Sequence, residues 1–297
     1  MTNAADWVAE TRQMLLGGIN EERNKLSAGY TAGGTTLTMQ YPLGGIQAGA
    51  RISIGTNTFY VGSVNGQIAT VSGGEEGTTD ANASIGDVVR VRPRWTDNEI
   101  LSALNFDLND LSSPQHGLFR VQTKSFTYDS TIEGYDMSSV ASDVLSIVEV
   151  RYQTTDDTKL WPRIPSTQYR LVRNMPTSDF SSGLALILYE PANSGYQVYV
   201  TFRRPFSTLT NLSTAKTDTG LLTTAYDLPP LGAAISLMAG REIKRALTET
   251  QGDTRRASEV PPGAASTSVN GLRVQRQNRI VAERARLDAQ YPIIKDN

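Results

Sequence analysis

Apolar residues near the amino terminus recur at helical spacing, and the pattern then changes to alternation. Val8, Leu15 and Ile19 follow one another at intervals that place them on one side of a helix, which predicts a helix over residues 4–27 within a segment 1–30. Between residues 34 and 94, polar and apolar residues alternate in short runs bounded by Gly or Pro, namely TLTMQY, RISIG, TFYVGSV, IATVS and DVVRVRP. We therefore expect a small antiparallel barrel or sandwich inserted after the first helix.

A second helix is predicted over the segment 95–114. Thr96 and Glu99 have the spacing of a capping box, while Trp95 and Ile100 occupy the two positions of a hydrophobic staple. The apolar stripe that follows consists of Ile100, Leu101, Leu104, Leu108 and Leu111. The Ser-Ser-Pro turn that begins at Ser112 should end this helix, one face of which packs on the rest of the protein.

The pattern returns to strands between residues 116 and 212. Runs rich in β-branched and aromatic residues are separated by loops of Asp, Ser, Asn and Pro, which predicts a larger, sandwich-like antiparallel β-domain. Asp227 then precedes Pro229 and Pro230, residues suited to a first helical turn. A third helix is therefore expected within residues 226–252.

The last segment, residues 253–297, differs from both patterns. Residues 257–268 are rich in Pro, Ala and Ser and read as a linker, whereas residues 270–290 are helix-prone but carry only a thin apolar stripe. A helix of this kind buries too little surface to be stable alone, so we expect an extended arm that needs a partner. The predicted fold class is α+β: a helical bundle, a small inserted β-module, a larger antiparallel β-domain and a C-terminal arm.

Composition narrows the range of functions. The 297 residues are 39% hydrophobic with a formal net charge of −2, so a sizeable core is possible and no global charge favours nucleic acid or an anionic membrane. There is no cysteine, which excludes disulfides and thiolate chemistry. No apolar run approaches the roughly 20 residues that cross a bilayer, and the N-terminus does not resemble a signal peptide. We expect a protein made in the cytoplasm, without a membrane partner.

Catalytic groups are scarce. The single histidine, His116, lies in a turn and is interpreted as a plain loop residue, and no phosphate-binding motif with Gly-Lys-Ser/Thr is present. Asp129, Glu133 and Asp136 fall close together and could form the acid pair of a glycosidase, although a solvated turn is the favoured interpretation. We therefore predict no enzymatic activity, no cofactor and no metal site.

Arginines concentrate in the last segment. They are Arg255, Arg256, Arg273, Arg276, Arg279, Arg284 and Arg286, and acidic residues offset only part of their charge. One interpretation is an exposed, solvated helix face. The other is a docking arm, in which these arginines bind carboxylates or phosphates of a partner. The predicted interface consists of the seven arginines with the apolar residues Ile280, Leu287 and Tyr291, and nucleic acid is the less favoured partner.

A short motif between Ile68 and Pro93 carries a resemblance. The order TV-x-G-G-x-x-G-T-T-x-A-x-x-x-x-G-x-x-V is similar to a module of tail, baseplate and neck proteins of tailed bacteriophages. The whole order of elements resembles the head-to-tail adaptor (neck or connector) proteins of these phages. The residues that carry this second resemblance are the GTT module, the helix after RVRPRWT, and the Leu-Pro-Pro helix followed by Arg241 and Arg245.

The resemblance implies a structural virion protein. Twelve copies would form a ring in the neck, assembled in the host cytoplasm, with the three helices lining a lumen through which DNA passes. The C-terminal arm would dock on the portal protein, and the ring would also contact the next tail or neck component. Two other classes remain open: a baseplate or tail-fibre protein, and a carbohydrate-active enzyme acting through the acidic loop.

Overall fold

The protein has a mixed α+β fold. The computed structural model describes residues 3–16, 21–153, 162–189, 194–249 and 264–292. Within these ranges the α-helices are α1 (Ala4–Leu16), α2 (Asp97–Leu111), α3 (Leu228–Glu249) and α4 (Ala264–Gln290). The chain divides into two compact units, Met1–Leu108 with Thr208–Asn278 and Asn109–Ser207 with Arg279–Asn297. In the described ranges, no helix is both long and apolar enough to cross a membrane.

Helix α1 is shorter than the sequence pattern predicts. It ends at Leu16, and Arg23–Lys25 form a strand, β1, so the prediction of a helix over residues 4–27 is wrong in its last part. Leu26 fits the helical spacing but is buried in the core of a β-sheet, where it forms a bridge with Met39. Spacing alone cannot show whether Leu26 belongs to a helix or to a strand, because a single apolar residue suits the buried face of either element equally well.

The first unit contains a six-stranded antiparallel sheet with the order β1-β6-β3-β4-β5-β2. Its other strands are β2 (Thr36–Thr38), β3 (Arg51–Ile54), β4 (Asn57–Asn65), β5 (Ile68–Gly73) and β6 (Val88–Val91). The two edge strands meet just beyond their ends, where Ser27 donates its backbone N–H to the Thr38 carbonyl at 2.9 Å. The sheet therefore curls around one apolar core, which includes Leu37, Ile52, Phe59, Val61, Ala69, Val89 and Val91.

The Gly-rich motif folds back onto this sheet through Asp80. The Asp80 carboxylate accepts hydrogen bonds from the Tyr30 hydroxyl at 3.0 Å and the Asn57 amide at 2.8 Å. A Cβ atom at Gly73 would lie 2.6 Å from Asp80 Oδ1, so this position has no room for a side chain. Thr78, from the GTT element, accepts the backbone N–H of Thr58 at 3.1 Å and extends the attachment to β4.

Helix α2 begins with the predicted capping box. Thr96 donates its backbone N–H to Glu99 Oε2 at 2.6 Å, and Glu99 donates its backbone N–H to Thr96 Oγ1 at 3.1 Å. These bonds satisfy two donors that the first helical turn would otherwise leave open. Trp95 and the entire predicted stripe are buried. The prediction of this helix is confirmed.

A buried group of charges joins α1 to the start of α2. Arg12 pairs with Glu21 at 2.8 Å, forms a short ion pair with Asp97, and donates to the Trp95 carbonyl at 2.9 Å. Arg90 lies 3.5 Å from Asp97 and 3.8 Å from Glu21. Two cations and two anions thus neutralise one another where all four side chains are largely removed from water.

Helices α1 and α3 pack against each other in the same unit. The rings of Trp7 and Tyr226 meet edge to face with centroids 5.4 Å apart, and the Lys216 ammonium lies 5.3 Å from the Trp7 ring. Such pairs stabilise a contact beyond the area that they bury. Helix α3 starts at Leu228, as the Asp-Leu-Pro-Pro pattern predicts, and its first turns bury Leu228, Leu231, Ala233 and Ala234.

The second unit contains two three-stranded antiparallel sheets. One has the order β7-β12-β9, and the other has the order β10-β11-β8. The strands are β7 (Arg120–Thr127), β8 (Gly134–Asp136), β9 (Ser146–Tyr152), β10 (Tyr169–Arg173), β11 (Leu184–Leu188) and β12 (Gln197–Arg204). Both sheets contribute to one core, which includes Tyr135, Val150, Leu184, Leu186, Val198, Val200 and Phe202.

Candidate functional site

The Arg-rich C-terminal segment forms helix α4, and its apolar stripe is already covered. The predicted helix over residues 270–290 is confirmed and starts earlier, at Ala264. Ile280 and Leu287 are only 2% and 5% exposed within the chain itself, and Tyr291 is half-buried. Contacts within the chain therefore remove Ile280 and Leu287 from water, and the dependence of the arm on a partner protein stays a prediction. Arg255 and Arg256 lie outside the residues that the structure describes.

In the first unit, Arg276 is held by a buried carboxylate. Its Nη2 lies 2.6 Å from Oδ1 of Asp107, which is 4% exposed. Asp107 contacts the backbone of α3 so closely that a Cβ atom at Gly232 would lie 1.6 Å from its Oδ1. Arg276 therefore serves to attach α4 to α2. The sequence contained a signal for this contact, because Asp107 lies one helical turn from Leu104 within the apolar stripe of α2.

In the second unit, two of the predicted interface arginines share one glutamate of their own helix. Arg286 lies 2.8 Å from Glu283 Oε2, and Arg279 lies 3.5 Å from Glu283 Oε1. Glu283 itself is only 6% exposed. Because the glutamate is nearly buried, these pairs lose less of their strength to solvent than ordinary surface pairs do. Arg279 and Arg286 are thereby positioned along α4.

The outward side of α4 carries the remaining charges. Arg273 is exposed, and Arg284 forms a long ion pair, 3.9 Å, with Asp288. Val274 and Val281 are 62% and 58% exposed and lie seven residues apart, which places them on the same side of the helix. Arg273 and Arg284 belong to the predicted interface and are exposed, whereas the two exposed valines were not part of that prediction.

The acidic loop of the second unit is held by hydroxyl groups. Asp136 accepts hydrogen bonds from the backbone N–H and the hydroxyl of Ser138, Ser181 and Ser182. Burial alone would raise the pKa of Asp136, but these hydrogen bonds outweigh it and hold the pKa far below its usual range. The carboxylate therefore remains ionised at neutral pH and fixes the turn between β8 and the loop before β11.

Asp129 has a similar role, and Glu133 is exposed. Asp129 accepts the backbone N–H of Thr131 at 2.9 Å and its hydroxyl at 2.7 Å, and these bonds lower the pKa of Asp129. A glycosidase acid requires a raised pKa, which neither Asp129 nor Asp136 has. The geometry therefore gives both aspartates a role in turn structure.

His116 lies at the end of α2. It is 6% exposed, and its Nε2 is 3.0 Å from Oδ2 of Asp110. The pair closes the turn that the Ser-Ser-Pro sequence begins. Within the described ranges, no group of three or more His, Asp or Glu side chains is arranged to hold a metal ion.

No protein-family model and no curated protein matches the chain.

Proposed function

We propose that this protein is a structural virion component, a head-to-tail adaptor that forms a ring under the portal protein. The proposal rests on the exposure of one side of helix α4. Arg273 and two valines are exposed on that side, whereas the opposite side of the helix is buried within the chain. A guanidinium beside exposed apolar surface is suited to a protein partner, because arginine pairs bidentately with carboxylates and valine excludes water around them.

The order of the elements supports the same proposal. Helices α1, α2 and α3 would form the bundle that lines the ring, and DNA would pass through the lumen without being read. The curled six-stranded sheet would be the inserted module, and the two sheets of the second unit would form the outer domain. Twelve copies would match the portal, and a further surface would receive the next tail or neck component.

The test is a binding experiment with the portal protein and single substitutions on α4. Arg273→Glu reverses an exposed charge, and Val281→Ser removes exposed apolar surface; neither residue has a partner among the contacts of the described chain. Each substitution should weaken co-assembly with the portal by about tenfold, the value of one interface contact worth about 1.4 kcal/mol. Gln275→Glu, an exposed change on the same helix, serves as the control and should weaken binding less than either.

Mass spectrometry of intact particles provides an independent measurement. Equal copy numbers of this chain and the portal protein are expected. A copy number of three or six would instead assign the chain to a baseplate or fibre, and its absence from particles would overturn a virion role. Point substitutions are preferable to deletion of α4, because deletion would expose Asp107 and the residues that Ile280 and Leu287 cover.

A further inference from the structure

A cleft of about 680 Å³ opens in the second unit beside the end of β12. Its wall includes Ser113, Leu118, Phe119, Leu145, Arg203 and Arg284. We refer to it as the Arg203 cleft. It lies within one compact unit, and it shares no residue with the acidic loop or with the substitutions that test the adaptor proposal.

Arg203 is held in place within this cleft. Its Cζ lies 4.1 Å from the centroid of the Phe119 ring, and its Nη2 donates to the Tyr291 carbonyl at 3.0 Å. Burial lowers the pKa of Arg203, while the nearby Asp288 raises it, but a guanidinium remains charged at any physiological pH. Its Nε is buried and has no hydrogen-bond partner in the described part of the chain. Arg203 is thus a fixed cation in the wall of the cleft.

Arg284 provides a second cation at the rim. Its side chain is 53% exposed, and its guanidinium carbon lies 3.5 Å from where a Cβ atom at Gly117 would be. Asp288 offsets this charge only partly, because the two groups are 3.9 Å apart and both exposed. Ser113 adds a buried hydroxyl that has no partner among the described residues. The lining, with Arg203, Arg284 and Asp288, therefore carries one net positive charge.

Apolar surface adjoins these two guanidinium groups. Leu118 and Phe119 are buried in the wall, whereas Leu145 remains 41% exposed. A ligand that satisfies both surfaces must carry an anionic oxygen group beside an aliphatic one. Two guanidinium groups favour the planar, bidentate geometry of a carboxylate.

We propose that the Arg203 cleft binds an acidic peptide segment of another protein. A carboxylate of that segment lies between Arg203 and Arg284, and a neighbouring aliphatic side chain packs on Leu145. The volume of the cleft accommodates a few residues of extended peptide. A nucleic acid is the poorer occupant, because its backbone needs a row of cations, whereas Asp288 here reduces the local charge. This proposal does not depend on the adaptor function.

Calorimetric titration of the full chain with acetyl-Leu-Glu-Glu-Leu-amide tests the proposal. The charged peptide should bind, with an affinity that falls as salt concentration rises, and the Leu-Gln-Gln-Leu analogue should bind at least tenfold more weakly. Arg284→Gln should weaken binding by about ten- to a hundredfold, the factor associated with a hydrogen bond to a charged group. Arg203→Met, which keeps the bulk over Phe119, should do the same.

Arg170→Gln is the matched control, because Arg170 is an exposed arginine on β10 in the same unit. It should leave peptide affinity unchanged. Equal binding of the charged and neutral peptides, or an unchanged affinity in Arg284→Gln, would overturn the proposal. Tighter binding of oligothymidylate than of the acidic peptide, lost in Arg284→Gln, would also overturn it and assign the cleft to phosphate. The Arg284 variant keeps the test valid even if Arg203→Met does not fold.

Discussion

The contact of Asp107 in α2 with the backbone of α3 makes a strong prediction about Gly232. In an ordinary helix interior, replacing glycine by alanine stabilises the folded state by about 1 kcal/mol. At Gly232, however, the added Cβ would lie 1.6 Å from Asp107 Oδ1 and 2.1 Å from its Cγ. No van der Waals contact is that short, so Asp107 would have to move, and the 2.6 Å ion pair with Arg276 would be disturbed.

The magnitude follows from two costs and one gain. Overpacking of this kind costs about 1–3 kcal/mol, and disruption of a buried ion pair costs about 3–5 kcal/mol when one partner is left without the other. With partial loss of the pair, and after subtraction of the gain in helix propensity, Gly232→Ala should destabilise the protein by about 3 kcal/mol. The melting temperature should fall by roughly 10 °C, since 1 kcal/mol corresponds to about 2–4 °C for a unit of this size.

Thermal unfolding followed by far-ultraviolet circular dichroism measures this change. Gly271→Ala is the matched control: Gly271 is in the interior of α4, and a Cβ atom there would have nothing within 4 Å. It should leave the melting temperature unchanged or raise it slightly. The reasoning is refuted if Gly232→Ala melts at or above the wild-type temperature while Gly271→Ala behaves as expected. In the double variant with Asp107→Ala, the loss should be smaller than the sum of the single losses, because the clash is gone.

Two further predictions concern hydrogen bonds of the first unit. Glu99→Ala should reduce the free energy of unfolding by about 1 kcal/mol in urea titrations. Glu99→Gln should lose less of this free energy, because its side chain can still accept the Thr96 N–H. Equal losses in the two variants would contradict the capping box. Burial, followed by the hydrogen bond to Asp80, raises the pKa of Tyr30 from 10.0 to about 12. Its contribution to stability is therefore complete below pH 10 and is lost as pH rises towards 12. At neutral pH, the free energy of unfolding of Tyr30→Phe should be lower than that of the wild type by about 1–2 kcal/mol. Between pH 10 and pH 12, Tyr30→Phe should lose less stability than the wild type. If stability falls equally steeply with pH in both proteins, Tyr30 does not titrate as argued.

Features that depend on neighbouring residues could be predicted from the sequence. The capping box of α2 and the Pro-containing start of α3 each involve residues within one helical turn, so their chemistry is visible in the chain itself. The alternation of Val89 and Val91 likewise indicated a strand with one buried face, and both residues are buried in the core of the sheet.

The candidate site could be predicted only in part. The sequence located the arginines and the helix that carries them, but it did not show which of them are engaged. Arg276 pairs with Asp107, which is 169 positions away in the chain, and Arg203 in β12 lies over the ring of Phe119, the residue before β7. The spacing of residues along a helix contains no information about such distant partners.

Residue types and their spacing therefore predicted the type of most elements, the absence of cysteine chemistry and the concentration of arginine in the last segment. Three features became visible only in the folded chain: where α1 ends, how Arg12, Glu21, Arg90 and Asp97 neutralise one another, and which residues of α4 are exposed. This difference arises from the range of the interactions. Capping and periodicity act within a few residues, whereas charge pairing and burial depend on groups that folding brings together from distant parts of the chain.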